Sequence, residues 1–248
     1  MAKQKGTVQV LEDTPEKEIP LVLSKSLHLI DPSAIEHQII VAGCGATGGV
    51  LVLELCRLGF TNFIVYDFDV VELKNINNQV YFIDQVGMPK VQALYQTARR
   101  INPELKEEQF RCKKFEKATC NKDLQKSVIF FSCIDKGRKI IHDWLSPDQR
   151  VVLYFSLGAS HDSYSISVGD LQTKRYIITP SLKDEEKGGE RSPCGEVMSL
   201  GGVMSLCANN TIQLFRMWAV AKIPIAGKTY FYECFPNVES YAISNKTN

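Results

Sequence analysis

From residue 38 onward, short apolar runs alternate with stretches whose apolar positions recur every three or four residues. The runs are Ile39-Ile40-Val41, Phe63-Ile64-Val65-Tyr66, and segments near 109–113, 127–133 and 151–156. Between them lie candidate helices. One passes through Leu51, Leu55 and Leu58, and one spans 89–102 with Val91, Leu94, Tyr95 and Ala98 on one face. A short helix near 117–124 and another over 137–145 complete the alternation. Pro89 suits the first helical position, where its missing N–H is not needed. Strands that are apolar throughout and alternate with helices predict a parallel sheet covered on both faces.

After residue 157 the rhythm changes. Residues 163–168 and 174–178, separated by Gly169-Asp170, read as antiparallel strands, and 180–193 form a polar loop without periodicity. A long helix over about 195–221 is apolar on most sides, which predicts burial. Residues 229–235 and 239–243 read as a closing hairpin. The fold class expected is therefore α/β: a Rossmann-like, mostly parallel sheet with helices on both faces, extended by C-terminal antiparallel strands. Residues 1–30 form an N-terminal extension, and 31–248 read as one domain.

The first strand runs into Gly43-Cys44-Gly45-Ala46-Thr47-Gly48 and then into an apolar helix. That order is what a nucleotide-binding turn requires. Gly43 permits the tight turn, Gly45 lets the backbone approach a phosphate, and Gly48 lets helix and strand pack closely. The helix N-terminus then offers unpaired N–H groups and a positive dipole end to an anion. The second strand ends in Asp67, about 20 residues beyond the last glycine, where an acidic side chain can bind ribose hydroxyls.

Composition narrows the picture only a little. The 248 residues carry a formal net charge of +1, which argues for neither nucleic acid nor a membrane surface. No apolar run approaches membrane-spanning length and the N-terminus has no apolar signal core, so a cytoplasmic location is expected. Eight cysteines are present and none forms a C-x-x-C pair, so free thiols are expected and a structural zinc site is not. His28, His37, His142 and His161 are isolated and read as structural.

The loop DFDVVELKNINNQ, residues 67–79, is the most diagnostic stretch. It resembles the ThiF/MoeB family, the adenylating fold shared with ubiquitin-activating enzymes, whose pattern here is roughly D-x-D-x-V-x-x-S-N-L-x-R-Q. This chain matches at Asp67, Asp69, Val71, Asn75 and Gln79. The likeness continues through Gly87 and Lys90, Ile101 to Pro103, and Cys133 to Asp135, and covers about residues 35–245. Small stand-alone bacterial ThiF-type proteins are the members it resembles most.

The resemblance implies ATP and Mg²⁺ as cofactors. Asp67 is then the ribose ligand, Asp69 and Asn75 belong to the phosphate-side loop with Asn78 and Gln79, and Lys90 faces the phosphates. Asp135, just past a central strand, holds the metal. It implies a nucleotide-binding half over about 35–157, a partner-binding half over about 158–248, and a homodimer. The reaction implied is attack by the C-terminal carboxylate of a ubiquitin-like or sulfur-carrier protein on the α-phosphate of ATP. Cys194 lies at the end of the polar loop just before the long helix, where several relatives carry a cysteine that accepts the acyl group. A helix N-terminus would favour its thiolate.

The chain also departs from the family. Asn78 stands where the family has arginine, and residues 1–36 hold no match to its early arginine motif. Lys136-Gly137-Arg138-Lys139 replaces the usual continuation after Asp135, and the paired zinc cysteines are missing. Two other readings use the same residues. A nicotinamide-dependent oxidoreductase would need the glycine turn and Asp67 but not Asn75, Lys90 or Asp135. A non-catalytic relative that only binds a protein partner would tolerate Asn78.

Overall fold

The computed structural model describes residues 30–124, 128–134, 138–145, 150–160, 163–169, 201–234 and 244–245. Its strands are β1 (Gln38–Ala42), β2 (Phe63–Asp67), β3 (Phe110–Cys112), β4 (Val128–Ser132), β5 (Val151–Ala159), β6 (Ser163–Gly169), β7 (Lys228–Glu233) and β8 (Ser244–Asn245). The helices are α1 (Ala46–Arg57), α2 (Lys90–Ile101), α3 (Lys117–Cys120), α4 (Arg138–Leu145) and α5 (Gly201–Ala219). Among the described residues the eight strands join one sheet in the order β3-β2-β1-β4-β5-β6-β7-β8. The first five run parallel and the last three antiparallel, as the alternating pattern predicts.

Period-two alternation divides each central strand between two cores. Ile39 and Val41 of β1 face one side with Ile129 and Phe131 of β4, against α1, α2 and α5. Ile40 and Ala42 face the other side with Val128 and Phe130, toward α3 and α4. A register shift between Val128 and Ile129 lets β5 take one extra residue, Val152, without losing this division. On the first side Phe131 stacks on Phe155 with ring centroids 4.7 Å apart, and Phe215 of α5 meets Phe131 edge-on.

The change to antiparallel pairing has a simple cause. Only residues 160–162 separate β5 from β6, far too few for a crossover, so the chain must double back. That pairing also carries β5 three residues beyond the expected Ser156, with Leu157, Gly158 and Ala159 opposite Ile166, Ser165 and Tyr164. Both edges of β6 are occupied, by β5 and β7. The expected strand over 174–178 lies outside the described residues. β7 pairs antiparallel with Ser244–Asn245, while the expected strand over 239–243 lies outside the described residues.

Under the sheet edge, Tyr66 of β2 donates its hydroxyl to Asp123 Oδ2 at 2.7 Å, and Lys113 Nζ lies 3.2 Å from the same oxygen. Burial alone would raise the Asp123 carboxyl, but the Tyr66 hydroxyl and Lys113 ammonium outweigh it and hold the group below its ordinary range. A carboxyl depressed in the folded state stabilises it above the unfolded pKa and loses that effect as pH falls through the folded value. Asp123→Asn should therefore destabilise the protein by about 1.5–3 kcal/mol near neutral pH. The gap from wild type should narrow as pH falls below about 4, the ordinary range of an unfolded aspartate, toward the depressed folded value. Urea denaturation of both proteins across pH 3–7 checks this.

Candidate functional site

The strand order places β1 beside β4 while their onward connections leave toward opposite edges of the sheet. The crevice outside the carboxyl ends of two such strands is where open α/β sheets bind ligands. Here it is formed by residues 43–48 after β1 and residues 133–134 after β4.

The three glycines of the turn do different work. Gly43 has φ +91, and a Cβ there would stand 2.7 Å from the Cys133 carbonyl oxygen. A Cβ on Gly48 would stand only 2.0 Å from the Gly43 carbonyl oxygen. Both positions are closed by the protein's own backbone. Gly45, the residue that caps α1, has nothing within 4 Å of the Cβ position. Of the three it alone borders open space among the described residues, and the first turn of α1 behind it has N–H groups with no helical partner.

Asp67 ends β2 and fastens this turn. Its Oδ2 accepts the Cys44 N–H at 2.8 Å and its Oδ1 accepts the Asp69 N–H at 2.9 Å. Each oxygen keeps acceptor capacity for a further donor. The chain then folds back on itself. Val70 bridges to Pro89, Val71 N–H donates to Met88 O, and Gly87 N–H donates to Val71 O. This return brings Lys90 to Asp69, with Nζ 3.1 Å from Oδ2 and the Lys90 N–H bonded to Asp69 O. Lys90 is 7% exposed, so its ammonium is held out of bulk water beside a half-exposed carboxylate.

Pro89 does not occupy the first helical position. Its bridge to Val70 keeps it extended (φ −54, ψ 132), and α2 begins at Lys90. The helix otherwise matches expectation, with Val91, Leu94 and Ala98 buried.

The remaining residues of the diagnostic loop take local roles. Asn75 is buried, and its Oδ1 accepts the Glu72 N–H at 2.9 Å, capping the 3-10 turn Leu73–Asn75. Gln79 Oε1 is a buried acceptor with no hydrogen-bond partner among the described residues. The Asn78 backbone lies against the start of α5, where a Cβ on Gly201 would be 3.3 Å from Asn78 Cα. The structure thus gathers Gly43, Gly45, Gly48, Asp67, Asp69 and Lys90 around one turn, with 75–79 beside it. Asp135, Cys194 and the side chains of Arg138 and Lys139 lie outside the described residues.

Two residues of the turn escape a sequence reading. Tyr81 is buried and donates its hydroxyl to the Cys44 carbonyl oxygen at 2.5 Å. It reads in sequence as one more aromatic in an apolar run, with no motif to mark it. Cys44 is fully buried, and desolvation pushes its thiol well above the ordinary range, so it is a packing group rather than a nucleophile.

Comparison with known proteins agrees with this geometry. Residues 33–145, from the turn before β1 to the end of α4, match the model of the ThiF family. The match covers a little under half of the chain. Over 75 residues the chain is 40% identical to ubiquitin-like modifier-activating enzyme 5 of Arabidopsis thaliana, covering 30% of this chain and 17% of that protein. The enzyme of the same name from Rattus norvegicus is 32% identical over 103 residues, 41% of this chain and 25% of that protein. The chain therefore aligns with a quarter or less of the length of these relatives.

The likeness of fold to solved structures extends beyond the matched segment. The crystal structure of PaaA superposes with a TM-score of 0.64 at 18% identity, covering 87% of this chain and 74% of PaaA. MccB of E. coli, crystallised with ATP, superposes with a TM-score of 0.63 at 14% identity, covering 87% of this chain and 65% of MccB. At such identities the likeness is one of fold.

The turn's packing makes a direct prediction. Gly48→Ala should be poorly tolerated, because its methyl carbon would meet a backbone oxygen that cannot yield without moving β1 or α1. A melting-temperature loss of about 5 °C or more, or failure to fold, is expected from the 1–3 kcal/mol or more that overpacking costs. Gly202→Ala in α5 meets nothing within 4 Å and should be neutral or stabilising by about 1 kcal/mol at most. Thermal melts followed by circular dichroism compare the two.

Proposed function

We propose that this protein binds ATP with Mg²⁺ and uses it to adenylate the C-terminal carboxylate of a ubiquitin-like or sulfur-carrier protein. The observation that carries the reading is the single web joining the glycine turn, Asp67, Asp69 and Lys90, within a segment of ThiF-family sequence. These residues fit a nucleotide. Gly45 leaves room where a phosphate would approach, Asp67 retains acceptor capacity for ribose hydroxyls, and Lys90 is a desolvated cation at a helix start. Bound ATP would supply the adenylyl group and a pyrophosphate leaving group.

In this reading the chain's own residues orient and neutralise rather than react. Lys90 offsets phosphate charge, Asn75, Asn78 and Gln79 line the phosphate side, and Asp135 holds Mg²⁺. The half after β5 would receive the protein partner, and Cys194 would accept the acyl group. Phe68, Val70, Leu73, Phe82, Ile83 and Val86 are exposed along one loop beside the site, which supports burial against a second copy in a homodimer. Among the described residues no helix is long and apolar enough to cross a membrane. We place the reaction in the cytoplasm.

The experiment is ATP–pyrophosphate exchange with candidate ubiquitin-like proteins, beside calorimetry with ATP and with NAD. ATP should bind in preference to NAD, and NAD bound with ATP ignored would end the adenylation reading. Lys90→Ala and Asp135→Ala should each cut exchange by about ten- to a hundredfold, the worth of a charge-assisted contact. Full exchange in either variant removes that residue from its role. ATP binding without exchange by any partner would favour the non-catalytic relative that Asn78 suggests.

A second measurement separates adenylation from transfer. Cys194→Ala should keep pyrophosphate exchange and lose any reducible adduct between this protein and its partner. An adduct that persists on non-reducing gels would assign the acceptor to another cysteine.

A further inference from the structure

The turn's geometry depends on a group outside the family motif. Tyr81 is 4% exposed and is anchored by Val80, whose Cγ2 would lie 2.7 Å from a Cβ on Gly49 in α1. Its hydroxyl donates to Cys44 O, while the Cys44 N–H is held by Asp67. Burial first, then the neighbouring Cys44, Asp67 and Asp69, push the phenol well above the ordinary tyrosine range, so it remains a donor. Cys44 is therefore fixed from both ends.

The peptide unit joining Cys44 to Gly45 is planar and trans, so its C=O and N–H point in opposite directions. Binding the carbonyl to Tyr81 turns the Gly45 N–H away from Tyr81. Gly45 has no Cβ and, among the described residues, no neighbour within 4 Å of that position, so no side chain of its own would keep the peptide from flipping. A flipped peptide would present a carbonyl oxygen to the site in place of a donor.

We propose that Tyr81 is a positioning residue: its hydroxyl locks the Cys44–Gly45 peptide so that the Gly45 N–H faces an anionic group of the bound nucleotide. The role rests on the nucleotide-binding reading above. It makes the anion-binding turn dependent on a side chain from a loop well removed in sequence.

Tyr81→Phe keeps the ring and removes only the donor. Calorimetry of the full chain with ATP, inorganic triphosphate and adenosine tests the role. The variant should bind ATP and triphosphate about tenfold more weakly, the worth of one hydrogen bond, with adenosine unchanged. Equal weakening of all three ligands, or none, would overturn the proposal in favour of a purely structural tyrosine. Amide NMR of wild type gives a second test that does not depend on the variant folding. The Gly45 N–H resonance should move downfield on adding inorganic triphosphate, and an unmoved resonance overturns the proposal. Wild type that binds neither ATP nor triphosphate sinks the nucleotide reading and Tyr81's role together. Binding by wild type that Tyr81→Phe matches sinks only the latter.

Discussion

The carbonyl oxygen of Gly43 sits where a side chain on Gly48 would begin, and the Cys133 carbonyl closes on Gly43 from the neighbouring strand. Those two backbone contacts bring the ends of β1 and β4 and the start of α1 to a single point. A Cβ at either glycine would push these elements apart, and the crevice at the sheet's carboxyl edge would open with them. The site is thus a consequence of how tightly three backbones meet. Gly45 keeps its freedom because it faces outward from that junction.

Around this junction the charged residues are tied to the turn and to one another. Asp67 holds the turn through Cys44 and starts the next loop through Asp69. Asp69 in turn receives Lys90. A lysine as buried as this one needs a partner close by, since an unpaired ammonium out of water is costly. The pairing also keeps the cation beside the turn. Asn75 follows the same logic on a smaller scale, since its capping of a 3-10 turn fixes the loop that carries 78 and 79.

The antiparallel half completes the arrangement. α5 lies on the same face as α1 and α2, with Phe215 against Phe131 and Phe60, and its start touches 77–78. The loop 77–81 is held between α5 on one side and the first turn of α1 on the other. Packing after β5 therefore bears on the geometry of the turn after β1.

The alternation of apolar runs with helical periodicity determined the parallel sheet, its helices and the reversal after β5. These are local patterns tied to burial on two faces, and each strand's residues carry them unaided. The motif residues were legible for a related reason: glycine spacing and the placement of Asp67 and Lys90 follow the chain's own order of strand, turn and helix. What only tertiary structure decided were contacts between segments far apart in sequence. Pro89 left the helix because Val70 bridges to it, and Ser244–Asn245 came to lie against Tyr230 and Phe231 of β7. Tyr81 became part of the turn because a buried carbonyl at Cys44 needed a donor. A hydrogen bond of this kind depends on where two loops come to rest, and nothing in the residues near Tyr81 encodes where Cys44 will be.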